Sequence, residues 1–442
     1  MKLAFIGQDT APLLPSFLTD MYQAGKAEGD LIVEEKNDAM ASVLEKYGQA
    51  CLKHSGLRGS FRVSRTREEV LEGADCVIYA GDMMASSRFR QDREALAGTD
   101  EEDPGLTDQA RVNGGIGGLL HTLRQGSAIL PLCESMQKKS PHALVLSLGQ
   151  PVARTTELFT LHGFDTYGFG NSARRGPGGI YGMARALDLN ITDVEAQWYG
   201  LPGFQFLTRF RNLHTGEDLM DRIQALVEEE RFGRLPRRWL REYNAVSVGS
   251  GPEHAEWMPA QDDFTPDPNP QLSESVEHRK NRILNMNLVA QHGLEHPDGQ
   301  IAQLTLLTRT PSERPVALAL ALLGKKDCTI QGVTMPNHGD LPGVRTNSMI
   351  EAPLCLVNGV RTKTTCTFSP ELTDLMNDIA YTSHLAALAA MGDRSSLREC
   401  IELDPALDGL DRLYLQDVVS AMIRMHSDIL FQYDDQDEDL TW

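Results

Sequence analysis

The 442 residues of this chain, 41% of them apolar, are enough for one large α/β enzyme or for two or three domains with a substantial core. Its 62 acidic and 42 basic residues give a formal charge of −20, which opposes binding to nucleic acid or to anionic lipid. We therefore expect partners that are small molecules or other subunits. The longest apolar run of the C-terminal half, residues 315–323, is too short to cross a bilayer, and the chain opens without a cationic signal-peptide lead, so we expect a cytoplasmic protein. The seven cysteines are scattered without a Cys-x-x-Cys pair, which indicates neither a disulfide framework nor a zinc site.

The chain opens with part of a dinucleotide-binding signature. Residues 3–6 form a short apolar run into Gly7, the point at which a Rossmann strand turns into its phosphate-binding helix. The usual fingerprint has three glycines, whereas here only the first is present. The candidate cofactor-binding residues of this turn are Gly7, Gln8, Asp9 and Thr10.

An acidic residue follows the second predicted strand. A helix is predicted over residues 11–26 and a strand over residues 31–33, which ends at Glu34. In a dinucleotide fold, a carboxylate at this point accepts hydrogen bonds from the adenosine ribose. Glu34 is therefore a candidate cofactor-binding residue, and a solvated charge at a strand end is the alternative.

Alternating strands and helices continue to about residue 195. Strands are predicted over residues 61–63, 76–80 and 143–147, with helices between them that include residues 118–139. This alternation predicts a parallel sheet whose chemistry lies beyond the carboxyl ends of its strands. The candidates at those ends are Gly81 and Gln150 for cofactor, and Arg88 and Arg90 for an anionic substrate.

The pattern is less regular after residue 195. We expect one more strand within residues 162–170, a helix starting after the glycines of 176–179, and a Pro- and acid-rich loop or lid over residues 251–277. Helical periodicity returns over residues 372–391 and 410–431, before a charged tail at 434–439. The predicted division is 1–195 for a cofactor domain and 196–442 for a substrate and oligomerisation domain.

Several segments together resemble glycoside hydrolase family 4, the NAD-dependent glycosidases that include 6-phospho-glucosidases, α-galactosidases and α-glucuronidases. The segments occur in the family's order: residues 66–80, 115–124, 141–151, 336–339, 351–353, 392–394 and 404–405. The resemblance implies an α/β fold, an N-terminal Rossmann-like parallel sheet with a C-terminal mixed α+β domain, like that of lactate and malate dehydrogenases. It also implies NAD as cofactor, a small-molecule glycoside as substrate, and a homodimer or homotetramer.

The family's chemistry is a transient oxidation of the sugar at C3, deprotonation at C2, and elimination and addition at C1. A Mn²⁺ held by a cysteine and a histidine assists it in the family. In this chain the corresponding positions are Gly170, beside Asn171, and Gly203. Glycine has no side chain to ligate a metal, so we expect that the family's metal site is absent and that Mn²⁺ would need other ligands.

The remaining site residues also follow from the resemblance. Tyr243 or Glu242 would be the base that removes the C2 proton, in a segment like the one that carries the family's catalytic tyrosine. Arg124 and His338 would stabilise developing negative charge together with the amides of Asn171 and Gln150. Apart from the resemblance, Arg174 and Arg175, with Arg88 and Arg90, stand at predicted strand ends and turns of an acidic chain, and they are further candidate cations for an anionic substrate.

Plainer roles remain open for these residues: a packed tyrosine, surface ion pairs and a turn-stabilising histidine. Two other functions also remain open. One is a simple NAD-dependent sugar dehydrogenase or epimerase, which would accumulate NADH. The other is a non-catalytic relative that binds nucleotide without turnover.

Overall fold

The computed structural model describes residues 1–24, 29–55, 58–81, 83, 85–97, 104–249, 251–259, 276–295 and 313–433. The strands are β1 (Lys2–Ile6), β2 (Asp30–Glu34), β3 (Phe61–Ser64), β4 (Cys76–Tyr79), β5 (Leu144–Ser147), β6 (Thr166–Gly168), β7 (Val194–Leu201), β8 (Phe204–Asn212), β9 (Val246–Val248), β10 (Cys328–Pro336), β11 (Met349–Val357) and β12 (Val360–Thr362). The helices are α1 (Thr10–Gln23), α2 (Asp38–Ser55), α3 (Arg67–Leu71), α4 (Ala85–Leu96), α5 (Gly115–Lys139), α6 (Val152–Leu161), α7 (Ile180–Ala186), α8 (Met220–Glu228), α9 (Arg234–Tyr243), α10 (Gly251–Ala255), α11 (Val276–Glu295), α12 (Pro315–Leu323), α13 (Pro370–Ala390), α14 (Arg394–Leu403) and α15 (Arg412–Met425).

The N-terminal strands form a parallel sheet in the order β3-β2-β1-β4-β5-β6. Strands β4 and β5 are buried along their whole length, and both are almost entirely apolar. Interior parallel strands are covered by helices on both faces, so they bury every side chain. The predicted parallel sheet is confirmed.

The sheet continues into antiparallel strands from the second half of the chain. Strand β10 pairs with β6, and the order then runs β10-β11-β7-β8-β9, with β12 paired to β11. The predicted fold class, a parallel sheet followed by a mixed α+β part, is confirmed. Strand β7 begins at Val194, beside the expected division at residue 195; because one sheet runs through both halves, two separate domains stay a prediction.

Several helix ends differ from the predicted ones. Helix α1 ends at Gln23 rather than at residue 26, and α5 begins three residues earlier than predicted, at Gly115. Helix α15 covers residues 412–425 rather than 410–431, because the side chain of Asp411 caps it by accepting a hydrogen bond from the Tyr414 N–H. Helix α13 packs against α5, α6 and α14.

The expected loop over residues 251–277 is partly wrong. Its first residues form α10, and its last two begin α11. Residues 256–259 continue from α10 without regular secondary structure, and residues 260–275 and the charged tail at 434–439 lie outside the described residues. Among the helices that the structure describes, none combines the length and the apolar character needed to cross a membrane.

Candidate active site

A cleft of about 260 Å³ lies at the carboxyl ends of β1, β2 and β4, and we call it the strand-end cleft. Parallel strands bring their carboxyl ends to one edge of a sheet, where ligands bind in open α/β folds. Four of the residues predicted to bind a cofactor line this cleft: Gly7, Gln8, Glu34 and Gly81. The structure therefore brings together residues that are up to 74 positions apart in the chain.

The turn between β1 and α1 is fixed against the end of β4. The Asp9 N–H donates to the Ala80 carbonyl at 2.8 Å, and the Gln8 side-chain oxygen accepts from the Met83 N–H at 2.7 Å. Gly7 has a φ of +123°, and a Cβ there would lie 2.3 Å from the Ala80 carbonyl oxygen. Thr10 begins α1, and its buried hydroxyl has no hydrogen-bond partner among the described residues.

Glu34 closes the far side of the strand-end cleft. It is the last residue of β2, and its carboxylate accepts a hydrogen bond from Arg67 Nε at 3.3 Å. The Glu34 side chain is 7% exposed and that of Arg67 is 30% exposed. A partly covered carboxylate at this strand end is placed to accept hydrogen bonds from a ligand's hydroxyl groups.

A second and larger space, about 540 Å³, lies beyond the ends of β5 and β6, and we call it the central cavity. Asp9 of the β1–α1 turn lines it, whereas the neighbouring Gln8 lines the strand-end cleft. One turn of the chain thus borders both spaces. Further residues from the sequence prediction that line the central cavity are Gln150, Gly170, Asn171, Arg175 and Gly203.

Glu256 is a buried carboxylic acid on the wall of the central cavity. Its Oε2 accepts two hydrogen bonds from Asn113, one from the backbone N–H at 2.7 Å and one from Nδ2 at 2.6 Å. Burial raises the pKa of Glu256 to about 7, although the bonds from Asn113 act in the opposite direction. Glu256 can therefore exchange a proton near neutral pH.

The segment that carries Glu256 is held by a buried arginine. Arg111 Nη1 donates to the carbonyl oxygens of Ala255, Glu256 and Met258 at 3.2, 2.7 and 2.7 Å. Arg111 and Asn113 both lie in the segment that leads into α5. The arginine therefore joins the two segments that contribute Glu256 and Asn113.

A second buried acid, Glu351 of β11, lies behind Gly170. It accepts hydrogen bonds from Trp198 Nε1 at 2.7 Å and from Gln205 Nε2 at 3.0 Å. Burial raises its pKa to about 6. A Cβ on Gly170 would lie 3.8 Å from Glu351 Oε2, so a side chain at this position would point between the acid and the cavity.

The two residues predicted as the base lie on α9, outside the residues that line either space. Glu242 is exposed and accepts a hydrogen bond from Arg238 at 2.8 Å. Tyr243 stacks on Trp239 with ring centroids 5.5 Å apart, and partial burial raises its pKa. Neither side chain therefore belongs to the described walls of the strand-end cleft or of the central cavity.

Arg124 and Arg88 belong to a buried polar cluster between α4, α5 and the C-terminal end of α15. The two terminal nitrogens of Arg124, Nη1 and Nη2, donate to the Asp92 carboxylate at 3.2 and 2.9 Å. Arg88 contacts His426 Nδ1 at 3.2 Å and pairs with Asp428. The cluster links elements far apart in the chain.

The remaining predicted residues are also dispersed. Arg174 donates to the Gln331 carbonyl at 3.2 Å and lies over the Trp198 ring. Arg90 is exposed on α4, and His338 is exposed in the turn after β10. Of the predicted arginines, only Arg175 borders the central cavity.

Sequence reasoning missed Asn113, Glu253 and Glu256. Glu253 and Glu256 lie in the segment predicted to be an acid-rich loop, so the sequence did not distinguish them from the other acids of that segment. A usable signal is present, because Glu256 stands between Ala255 and Trp257 in a short apolar stretch. An acid in such a position is seldom buried without a partner or a function.

Comparisons with known proteins agree over most of the chain. Residues 30–166 match the family model "Family 4 glycosyl hydrolase", and residues 198–407 match "Family 4 glycosyl hydrolase C-terminal domain". An α-glucosidase of Erwinia rhapontici is 27% identical over 157 residues, 35% of this chain and 33% of that protein. The matched part thus spans about a third of this relative.

Solved structures share the fold over nearly the full length. The crystal structure of a protein from Bacillus subtilis matches with a TM-score of 0.72 at 17% identity. The match covers 96% of this chain and 99% of the other chain. A 6-phospho-α-glucosidase from gut microorganisms, solved in complex with NAD and Mn²⁺, has a TM-score of 0.70 at 15% identity, with 97% and 98% covered. At these identities the likeness establishes the fold alone.

Proposed function

This chain belongs to glycosyl hydrolase family 4, and on that premise we propose that it is an NAD-dependent glycosidase. The observation that carries the proposal is the shared border of the strand-end cleft and the central cavity at Gln8 and Asp9. A dinucleotide held in the cleft and a sugar held in the cavity would therefore be neighbours, on either side of the β1–α1 turn.

The residues of the strand-end cleft fit such a cofactor. Glu34 suits the adenosine ribose, and the turn from Gly7 to Thr10 suits the phosphates, where the unpartnered Thr10 hydroxyl is available at the start of α1. Gly81 lines the strand-end cleft and Gln150 lines the central cavity, and the Gln125 side chain donates to the carbonyl oxygens of both. Bound there, NAD supplies the transient oxidation of the sugar at C3 that makes the C2 proton acidic.

Residues of the central cavity suit the steps that follow. The amides of Gln150 and Asn171 can donate hydrogen bonds to sugar oxygens that gain negative charge when C2 loses its proton. Elimination at C1 and addition of water then complete the cleavage. Because Tyr243, Glu242, Arg124 and His338 do not line this cavity, we propose that the acid and base groups lie among the cavity residues.

The family's metal ligands do not fit this site. The two positions that correspond to the cysteine and the histidine, Gly170 and Gly203, both line the central cavity and offer no ligand. Among the residues that the structure describes, no group of three or more His, Cys, Asp or Glu side chains could hold a metal ion. We propose that the cavity's amides, rather than a metal ion, stabilise the negative charge.

Product analysis tests the proposed activity. With NAD present, we expect aglycone release from a glycoside without accumulation of NADH, and incorporation of deuterium at C2 of the sugar in heavy water. Both follow from an oxidation that is reversed within each turnover. Stoichiometric NADH would indicate a dehydrogenase or epimerase instead, and nucleotide binding without turnover on a broad glycoside panel would indicate a non-catalytic relative.

The charge of the central cavity favours an uncharged sugar over the predicted anionic one. Four carboxylic acids line it in the described part of the chain, whereas Arg175 is the one guanidinium there; the acids are Asp9, Glu253, Glu256 and Glu313. Placing a phosphate among carboxylates costs several kcal/mol unless cations compensate.

We therefore expect kcat/KM for an aryl glucoside to exceed that for its 6-phosphate by about tenfold or more, since each 1.4 kcal/mol is a factor of ten. Competition between the two substrates in one reaction measures the ratio directly. A preference for the phosphorylated substrate that disappears in the Arg175→Gln variant would contradict this expectation and assign Arg175 to anion binding.

The assembly and location of the protein are also proposals. We propose a homodimer or homotetramer, which light scattering of the purified protein tests. We propose a cytoplasmic location, which fractionation of the producing cells tests.

A further inference from the structure

Glu256 differs from the other acids of the central cavity in how it is held. Its side chain is buried, and Asn113 fixes one carboxyl oxygen with two short hydrogen bonds. The other oxygen, Oε1, receives no hydrogen bond from a described residue. The carboxyl group is thus held in one orientation on the cavity wall, with one oxygen left for a ligand.

The surroundings of Glu256 combine acids, arginines and an amide. Glu253 lies one turn earlier in the chain, and Asp9 and Glu313 line the same cavity. Burial and the charge of Glu253 raise the pKa of Glu256, while Asn113 and Arg111 lower it. Arg154 of α6 is buried and also interacts electrostatically with Glu256.

We propose that Glu256 is the catalytic acid of this chain, which donates its proton to the glycosidic oxygen as the aglycone departs, and that Asn113 is its positioning residue. The inference rests on the proposed glycosidase function and adds a residue to it. Glu256 would touch the scissile oxygen, whereas Asn113 would act through Glu256.

One proton leaves Glu256 and returns to it in each turnover. The electron pair left at C2 forms a C1–C2 double bond, the C1–O bond breaks, and the departing oxygen takes the proton from Glu256, which becomes a carboxylate. Water then adds to C1 and gives one proton to Glu256, while the electron pair of the double bond returns to C2, which takes back the proton that the base had removed. Glu256 and the base end the cycle in their starting states, and water is the one reactant consumed.

Glu351 is the alternative buried acid, and its contacts argue against it. Its two oxygens each accept a hydrogen bond, from Trp198 and from Gln205. It is also not among the residues that line the central cavity. Its carboxyl group is therefore engaged within the protein rather than presented to a ligand.

The Glu256→Gln variant tests the proposal, because glutamine keeps the size and the hydrogen bonding of the side chain but carries no acidic proton. We expect kcat/KM on an alkyl glucoside to fall by about 100-fold or more, which is the usual range for losing a catalytic acid. On p-nitrophenyl glucoside, whose leaving group needs little protonation, the loss should be much smaller. Deuterium exchange at C2 should persist, because it precedes aglycone departure.

Glu402→Gln is the matched control. Glu402 is an exposed acid of α14 that pairs with Arg398 and lines neither space, so its replacement should leave the activity on both substrates unchanged. Wild-type cleavage of the alkyl glucoside by the Glu256→Gln variant would overturn the assignment while leaving the glycosidase proposal intact. No exchange and no aglycone release from the wild-type protein would overturn both.

The Asn113→Ala variant tests the positioning role separately. Activity that needs protonated Glu256 should fall as the pH rises through about 7, the value to which burial raises its pKa. The Asn113 side-chain bond favours the carboxylate, so its removal should raise the pKa and move this alkaline limb to higher pH. If the alkaline limb of the pH–activity profile does not move and activity is lower at every pH, Asn113 has only a structural role.

Discussion

Replacement of Arg124 by methionine is expected to lower the free energy of unfolding by about 3–5 kcal/mol. Arg124 and Asp92 are 2% and 1% exposed, and their closest nitrogen and oxygen atoms are 2.9 Å apart. Burial disfavours the ionised form of Asp92, but bonds from His426 and Arg124 lower its pKa below the usual value. Without the guanidinium, a buried carboxylate loses its main cation.

Chemical denaturation of the variant and the wild-type protein measures this difference. Arg398→Met is the control, because Arg398 pairs with Glu402 on the exposed face of α14 and both side chains are more than 40% exposed. Exposed pairs of this spacing contribute about 0.3–0.5 kcal/mol. A stable but inactive Arg124→Met protein would contradict the structural role and support the catalytic one implied by family resemblance.

Arg124 also illustrates why single residues were harder to place than strands. The periodicity of a helix predicts which of its faces is buried. It does not predict which acid, distant in the sequence, pairs with an arginine on that face. The partners of Arg124 are Asp92, 32 positions away, and His426, 302 positions away. Only the packing of α4 and α15 against α5 brings them together.

The parallel half of the sheet could be predicted because its strands are short, apolar and separated by helices. The antiparallel strands could not, because bulges interrupt their alternation of buried and exposed residues. Strand β7 changes register between Gln197 and Trp198, and β10 does so between Ile330 and Val333. A pattern of period two is lost at each of these points.

The candidate site likewise contains residues that could be predicted from the sequence and residues that could not. Gly7, Glu34 and Gly81 could be found because the carboxyl ends of parallel strands meet at one edge regardless of the loops between them. Asn113 and Glu256 belong to connecting segments, which are joined because Arg111 donates hydrogen bonds to three backbone carbonyls within residues 255–258. No spacing rule in the sequence encodes that contact.

A Gly7→Ala substitution is expected to lower the free energy of unfolding by about 2–4 kcal/mol, from backbone strain and from a steric clash. Alanine is strained at a φ of +123°, and its Cβ would lie 2.3 Å from the carbonyl oxygen of Ala80, which is backbone and cannot rotate away. Either β1 or the end of β4 must move. Because both border the strand-end cleft, NAD affinity should fall by about tenfold or more.

Gly216→Ala separates the clash from the strain. Gly216 also has a positive φ, +74°, but a Cβ there would meet no atom within 4 Å. Its replacement should cost only the left-handed conformation, about 1–2 kcal/mol, and leave NAD affinity unchanged. Calorimetric titration with NAD, alongside thermal unfolding, measures both quantities. Two results together would contradict this prediction: an equal loss of stability in both variants, and unchanged NAD affinity in the Gly7→Ala variant. They would mean that the β1–α1 turn does not depend on close contact with β4. The turn would then no longer belong to the proposed cofactor site.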